Sequence, residues 1–181
     1  MVVLPPSLQD YNSHVLHLLT MPNVLANLRV WSAQHTLPPQ RPVRFFSGSW
    51  DGLAGLLEQK GLAGSYDLVL TAETIYSPEA TRSLLQCIKR CLRRPSGVAL
   101  VAAKSHYFGV GGGIADFLQV GAACHCCLEK GWALACLPPN SLAACLQLVE
   151  SDGTLDACTV WTMDDGRSNS RSILQLTFAA S

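Results

Sequence analysis

Two apolar runs dominate the hydropathy pattern of the chain: "YDLVLTAE" (66–73) and "GVALVAAKS" (97–105). Both are short, bounded by turn residues and without strict alternation, which predicts parallel strands covered on both faces. "RPVRFFSGSW" (41–50) predicts a third strand. Between these runs the apolar positions recur at helical spacing. Leu53, Leu56 and Leu57 follow Asp51, a candidate N-cap, and this helix ends near Gly61. Ser77-Pro78-Glu79 reads as a stronger start, with a cap, a proline at the first helical position and an acid in the first turn. Leu84, Leu85, Ile88 and Leu92 then share one face. Ser13 or Thr20 opens an earlier helix carrying Val24, Leu25 and Leu28.

Strand alternating with helix predicts an open α/β sheet, with 66–71 and 97–103 as adjacent central parallel strands. The end of the chain differs. "CTVWTM" (158–163) and "SILQLTF" (172–178) flank the polar "DDGRSNSR", which predicts an antiparallel hairpin. The segment 119–145, rich in Ala and Cys and broken by Pro-Pro, shows no sustained period beyond a helix running on from Ile114.

Composition narrows the function classes. The 181 residues suffice for one domain with a sizeable core. Lys+Arg and Asp+Glu both number 13, so charge gives no case for a nucleic-acid or acidic-membrane partner. No apolar run reaches the ~18 residues of a membrane span. "MVVLPPSLQD" lacks the basic and apolar regions of a signal peptide, so the 8 cysteines are expected to be reduced thiols inside the cell.

In open α/β sheets ligands bind beyond the carboxyl ends of the strands. Asp10, Gly48-Ser49-Trp50-Asp51, Thr71-Ala72-Glu73 with Tyr76, and Lys104-Ser105-His106-Tyr107 fall at such ends. An acid there can hold ribose hydroxyls, an indole can cover an adenine face, and a second acid with a tyrosine can position a nitrogen nucleophile. That set suits a nucleoside cofactor and a small nitrogenous acceptor. Each residue also has a structural alternative. Asp10 and Asp51 can be helix caps, Trp50 can be core, and the loop from Gly109 to Gly113 can be a tight crossover. The loop's GVGGG spacing is not GxGxxG, so it gives little support to a dinucleotide site. Cys124, His125, Cys126 and Cys127 lie too close together to surround one tetrahedral ion, and no second ligand pair appears, so no metal site is expected.

"LQDYN", "TMPNVLANL", "FFSGSW", "YDLVLTAETIY" and "AAKSHYFGVGGG" stand in the order and approximate spacing of the histidine protein methyltransferase 1 homologues. These are seven-strand, S-adenosylmethionine-dependent methyltransferases. The resemblance runs from about Leu8 to Phe117 and resumes through "MDDGRSNSRSILQLTF". It implies a Rossmann-like class I methyltransferase sheet with a C-terminal antiparallel hairpin. It also implies S-adenosyl-L-methionine as cofactor and a protein histidine as acceptor, in a ribosomal protein of the uL3 type, with a cytoplasmic and nuclear location that includes the nucleolus. By position it assigns Asp10, Tyr11, Asn12, Gly48, Ser49, Trp50, Thr71 and Ala72 to the cofactor. Glu73 and Tyr76 go to the reacting group. His106, Tyr107, Phe108, Gly109, Gly111, Gly112 and Gly113 face the substrate, where backbone without Cβ atoms lets a peptide approach closely.

The family also carries an earlier strand ending in a glycine-rich turn that faces the methionine end of the cofactor, and nothing before Asp10 matches it. Pro5-Pro6 further weakens the strand leading to Asp10, and 119–145 reads as an insertion. The resemblance therefore implies one partial domain over 1–181, an incomplete sheet of marginal stability, and cofactor binding that is weak or absent. The chain alone is then expected to be inactive. The alternative functions are a non-catalytic truncated isoform and an α/β protein-binding module.

Overall fold

The computed structural model describes residues 6–34, 42–76, 78–105, 113–114, 154–164 and 170–179. Among these, strands and helices alternate as expected, in a mixed α/β arrangement with two sheets. In the first sheet β1 (Ser7–Asp10) pairs in parallel with β2 (Arg44–Ser47), Leu8 opposite Phe45 and Asp10 opposite Ser47. The prolines before β1 do not prevent this pairing. Pro6 contributes its carbonyl, which accepts the Arg44 N–H at 3.0 Å, and a proline lacks only the donor.

The second sheet has the order β3-β4-β6-β5. β3 (Leu68–Ala72) and β4 (Val98–Lys104) are adjacent and parallel, Leu68 opposite Val98. β5 (Leu155–Met163) and β6 (Arg171–Phe178) form the expected antiparallel hairpin, with β6 also running against β4. One expectation needs correcting: among the described residues β3 is not central but an edge. Its burial alternates, with Leu68 51% and Leu70 68% exposed. An apolar run fixes what a strand can bury, not which neighbours are present to bury it. Residue 66 also falls outside the strand proper, since Tyr66 makes only an isolated parallel bridge to Leu92.

α4 (Pro78–Cys91) joins the two sheets. Leu84, Leu85 and Ile88, with Leu92 just beyond the helix, pack onto Ala99, Val101, Leu174 and Leu176. Cys87 and Cys91, on a neighbouring stripe, pack instead with Phe46, Ala54, Leu57 and Leu62. The second cluster ties β2 and α3 (Trp50–Gln59) to α4. The Ser77 cap of α4 lies outside the described residues.

The cap of α3 is Ser49 rather than Asp51. The Ser49 backbone is extended (φ −69°, ψ 157°) and its Oγ accepts the Gly52 N–H at 3.2 Å. Asp51 falls in the first turn, where its charge suits the helix dipole. The earlier helix begins with a short turn α1 (Ser13–Val15) capped by Asn12. It continues through a π-helical turn (Leu16–Thr20) into α2 (Met21–Gln34), which buries no residue. The segment 119–145 and the tetrad at Cys124–Cys127 lie outside the described residues. Among the described residues no helix is long and apolar enough to cross a membrane.

Candidate functional site

The carboxyl ends of β1, β2 and β3 open onto one cleft of about 1210 Å³. Asp10, Tyr11, Gly48, Ser49, Trp50, Thr71, Ala72, Glu73 and Tyr76 all line it. The sequence-predicted residues from three separate segments are therefore brought together, Asn12 excepted. Asn12 acts locally, its side chain accepting the His14 N–H at 3.0 Å to cap α1. The stretch 106–112, expected from the resemblance to face a substrate, lies outside the described residues. Only Gly113 is described, and it is buried.

The β1 side of the cleft is built by turns. Asp10 Oδ1 accepts the Asn12 N–H at 2.7 Å, an Asx turn that redirects the chain after the strand. This engages one oxygen of a carboxylate whose residue lines the cleft. Tyr11 is exposed. Gly48 turns at φ 117°, a conformation that L side chains rarely adopt, and a Cβ there would meet nothing within 4 Å. The glycine is thus required by backbone conformation rather than by crowding.

Gln9, which no motif marks, braces this corner. Its Nε2 donates to the Gly48 carbonyl at 2.7 Å and its Oε1 accepts the Trp50 Nε1–H at 3.1 Å. Trp50 is half-buried, packs against both hydrophobic clusters and also lines the cleft. Asp51 Oδ2 accepts the Ser83 hydroxyl at 2.8 Å across to α4.

The β3 side ends at Glu73, the one described non-glycine residue at positive φ, 55°. Its N–H is held by the Ala102 carbonyl at 2.9 Å, so β4 fixes the backbone there. Its exposed carboxylate lies 3.3 Å from Lys104 Nζ at the end of β4. Backbone strain of this kind collects at functional sites, where surrounding structure over-determines it. Thr71 and Thr74 share a hydroxyl hydrogen bond at 2.7 Å, closing the turn. Tyr76 is exposed at its rim.

Deeper in the cleft, the sulfurs of Cys87 and Cys91 stand 3.7 Å apart. The hydrogen bond to Cys91, together with burial, pushes the Cys87 thiol far above its ordinary range, so it stays protonated. Among the described residues no group of three or more His, Cys, Asp or Glu converges as metal ligands.

A strand-end cleft lined by an acid, a glycine turn, an indole and a second acid stands where open α/β sheets bind their ligands. The chain is similar to histidine protein methyltransferase 1 homologues from several species. It is 39% identical over 120 residues to the one from Mus musculus, covering 59% of this chain and 33% of that protein. To the Bos taurus homologue it is 40% identical over 120 residues, covering 58% and 32%. To histidine protein methyltransferase 1 of Schizosaccharomyces pombe it is 31% identical over 132 residues, covering 60% and 38%. The chain spans about a third of the length of the curated relatives it matches. No protein-family model matches it. A zinc-dependent alcohol dehydrogenase structure from Rhodobacter sphaeroides superposes at a TM-score of 0.47 and 11% identity, over 97% of this chain and 76% of that one, a likeness too weak to carry an argument.

Proposed function

We propose that this chain carries part of the site of an S-adenosylmethionine-dependent protein-histidine N-methyltransferase with a Rossmann-like class I sheet. In this reading it acts on a ribosomal protein of the uL3 type, in cytoplasm and nucleus. The observation that carries the proposal is the meeting of Asp10, Gly48, Trp50 and Glu73 in one cleft. The relatives' names supply the reaction class.

The residues present fit the nucleoside half of the cofactor. The Asp10 carboxylate would accept from ribose hydroxyls, and Gly48 and Ser49 give open backbone beside the adenine. Trp50, braced by Gln9, would lie against the ring. The cofactor supplies an already activated methyl group, so the protein's task is alignment of nitrogen, carbon and sulfur. Glu73 would accept the N–H of the imidazole nitrogen that does not react, fixing the tautomer and later holding the proton. Tyr76 would line the acceptor's approach, and Thr71 and Ala72 would border the methyl group.

These 181 residues taken by themselves are proposed to bind the cofactor weakly and to transfer no methyl group. The reason lies in the sheets. Asp10 and Trp50 sit with β1–β2, and Glu73 sits with β3–β4. Among the described residues no strand hydrogen bonds join the two. Misplacement of reacting groups by ~1 Å can cost ~10²-fold in rate.

The test is a titration of the chain with S-adenosylmethionine followed by amide NMR, paired with a labelled-methyl assay on isolated ribosomal protein. Expected are millimolar-range shifts at Asp10, Gly48 to Trp50, and Thr71 to Glu73, lost in Trp50→Ala, with no incorporation. Absence of shifts at these residues would overturn the cofactor reading. Robust incorporation would overturn the claim of inactivity.

A further inference from the structure

We infer that Cys87 and Cys91 form a two-coordinate thiolate site for a soft monovalent metal ion of the Cu(I) class, opening onto the cleft from its α4 wall. Spacing carries the argument first. The two residues are four apart on α4, so their side chains leave one face of the helix, and their sulfurs stand 3.7 Å apart. Both line the cleft, which gives an ion a way in. The pair is not shaped for a disulfide. Residues four apart on a helix keep their Cβ atoms ~5–6 Å apart, whereas a disulfide draws them to ~3.5–4.5 Å. The backbone resists that contraction. The Cys91 carbonyl accepts the Tyr66 N–H at 3.1 Å, and the Leu92 N–H still reaches the Ile88 carbonyl at 3.0 Å. An ion set between the sulfurs bridges them with the helix intact.

The surroundings select the ion. The sulfurs pack among Phe46, Ala54, Leu57 and Leu62, side chains that offer no oxygen or nitrogen donor. Among the described residues no third His, Cys, Asp or Glu converges on them. Zinc in structural sites takes four ligands, and calcium and magnesium take oxygen. A soft ion satisfied by two thiolates is what the pair suits. Protonation agrees. The hydrogen bond from Cys87 holds the Cys91 thiol below its ordinary value, while the same bond and burial hold Cys87 above it. Binding therefore starts at the Cys91 thiolate and expels the proton of Cys87. Ion, thiolate and thiol give a bis-thiolate complex and a proton, and no electron is transferred. The complex carries one negative charge, which the Arg90 guanidinium favours and the Asp51 carboxylate opposes at Cys87. This inference does not depend on methyl transfer.

The probes are Cu(I) buffered by bicinchoninate without oxygen, and Ag(I) as a redox-inert ion of the same class. Both are read by NMR of the full chain isotope-labelled at the cysteine Cβ atoms. Expected is a joint shift of the Cys87 and Cys91 signals that saturates at one ion per pair. It should persist when Cys124→Ala, Cys126→Ala and Cys127→Ala together remove the other thiol-rich stretch. Cys87→Ala should weaken binding at Cys91 by at least ~100-fold, beyond the ~10–100-fold that loss of an outer-shell partner costs. Alanine is a strong helix former, so α4 is kept, and circular dichroism checks this; the joint shift in the natural chain is decisive even if the variant does not fold. No shift at the pair, a shift at one cysteine alone, loss of binding in the triple variant, or equally tight binding of Zn(II) would overturn the inference. So would a Cys87–Cys91 disulfide formed readily with oxidised glutathione, which would make the pair a redox couple instead.

Discussion

The β3–β6 sheet and the β1–β2 pair are held in place by different means. The larger sheet lies on α4 through a continuous cluster that includes Ile75, Leu85, Ile88, Leu155, Leu174 and Leu176, all almost fully buried. From Ser7 to Gln34, by contrast, only Leu16 is buried, and α2 turns Leu25, Val30 and Trp31 to solvent. The first pair is attached mainly through Phe46 and α3. The difference has a functional consequence. The acid and indole proposed for the nucleoside lie on the weakly anchored half, while Glu73 lies on the firmly anchored one. The cleft can thus be assembled at the level of single residues and still be loose at the level of the two sheets.

The largest effect that would test this contrast is a pair of truncations. Leu85→Ala removes a side chain 2% exposed from the middle of the main cluster, and should lower the unfolding free energy by ~2–5 kcal/mol. Leu25→Ala, on the open face of α2 and 55% exposed, should change it by no more than ~0.5 kcal/mol. Denaturant titration of both variants decides the matter. Comparable losses would mean that α2 is as firmly packed as α4, and the contrast would fail.

A smaller effect sharpens the boundary between the halves. Ser49→Ala deletes the cap that satisfies the Gly52 N–H at the start of α3, a change of about 1 kcal/mol. Because α3 links β2 to α4, hydrogen exchange should quicken in α3 and across β1–β2 while the β4–β6 ladder keeps its protection. Equal quickening in both sheets would show one cooperative unit instead of two.

How much of this was legible in the sequence varies with the physics of each element. α4 and the β5–β6 hairpin follow from periodicity and turn chemistry, signals that belong to the segments themselves. β3 and β4 were legible as adjacent parallel strands, yet the edge position of β3 was not, because it depends on neighbours and not on residues 66–73. The cap at α3 was ambiguous because Ser49 and Asp51 are both capping types two positions apart. Only the extended backbone at Ser49 resolves it. The gathering of Asp10, Gly48, Trp50 and Glu73 followed from strand-end logic. Gln9 was invisible, since a glutamine in a four-residue strand carries no pattern, and so was the positive φ of Glu73.

That last residue permits the smallest and most specific test. At φ 55° the Glu73 backbone is in the left-handed region, which disfavours any residue with a Cβ by roughly 1–2 kcal/mol. The Lys104 contact offsets little of this, because both side chains are substantially exposed and such pairs contribute ~0–1 kcal/mol. Glu73→Ala and Glu73→Gly both delete the carboxylate and its ion pair, but only glycine relieves the conformation. Glycine's greater freedom in the unfolded chain subtracts ~0.5–1 kcal/mol from that gain. Glu73→Gly should therefore be more stable than Glu73→Ala by up to about 1 kcal/mol, measured by thermal and denaturant unfolding side by side. Equal stabilities would mean that the backbone at the end of β3 relaxes freely. In that case the firm half of the cleft would not hold its acid rigidly, and the contrast between the two halves would narrow at the position where the proposed chemistry needs it most.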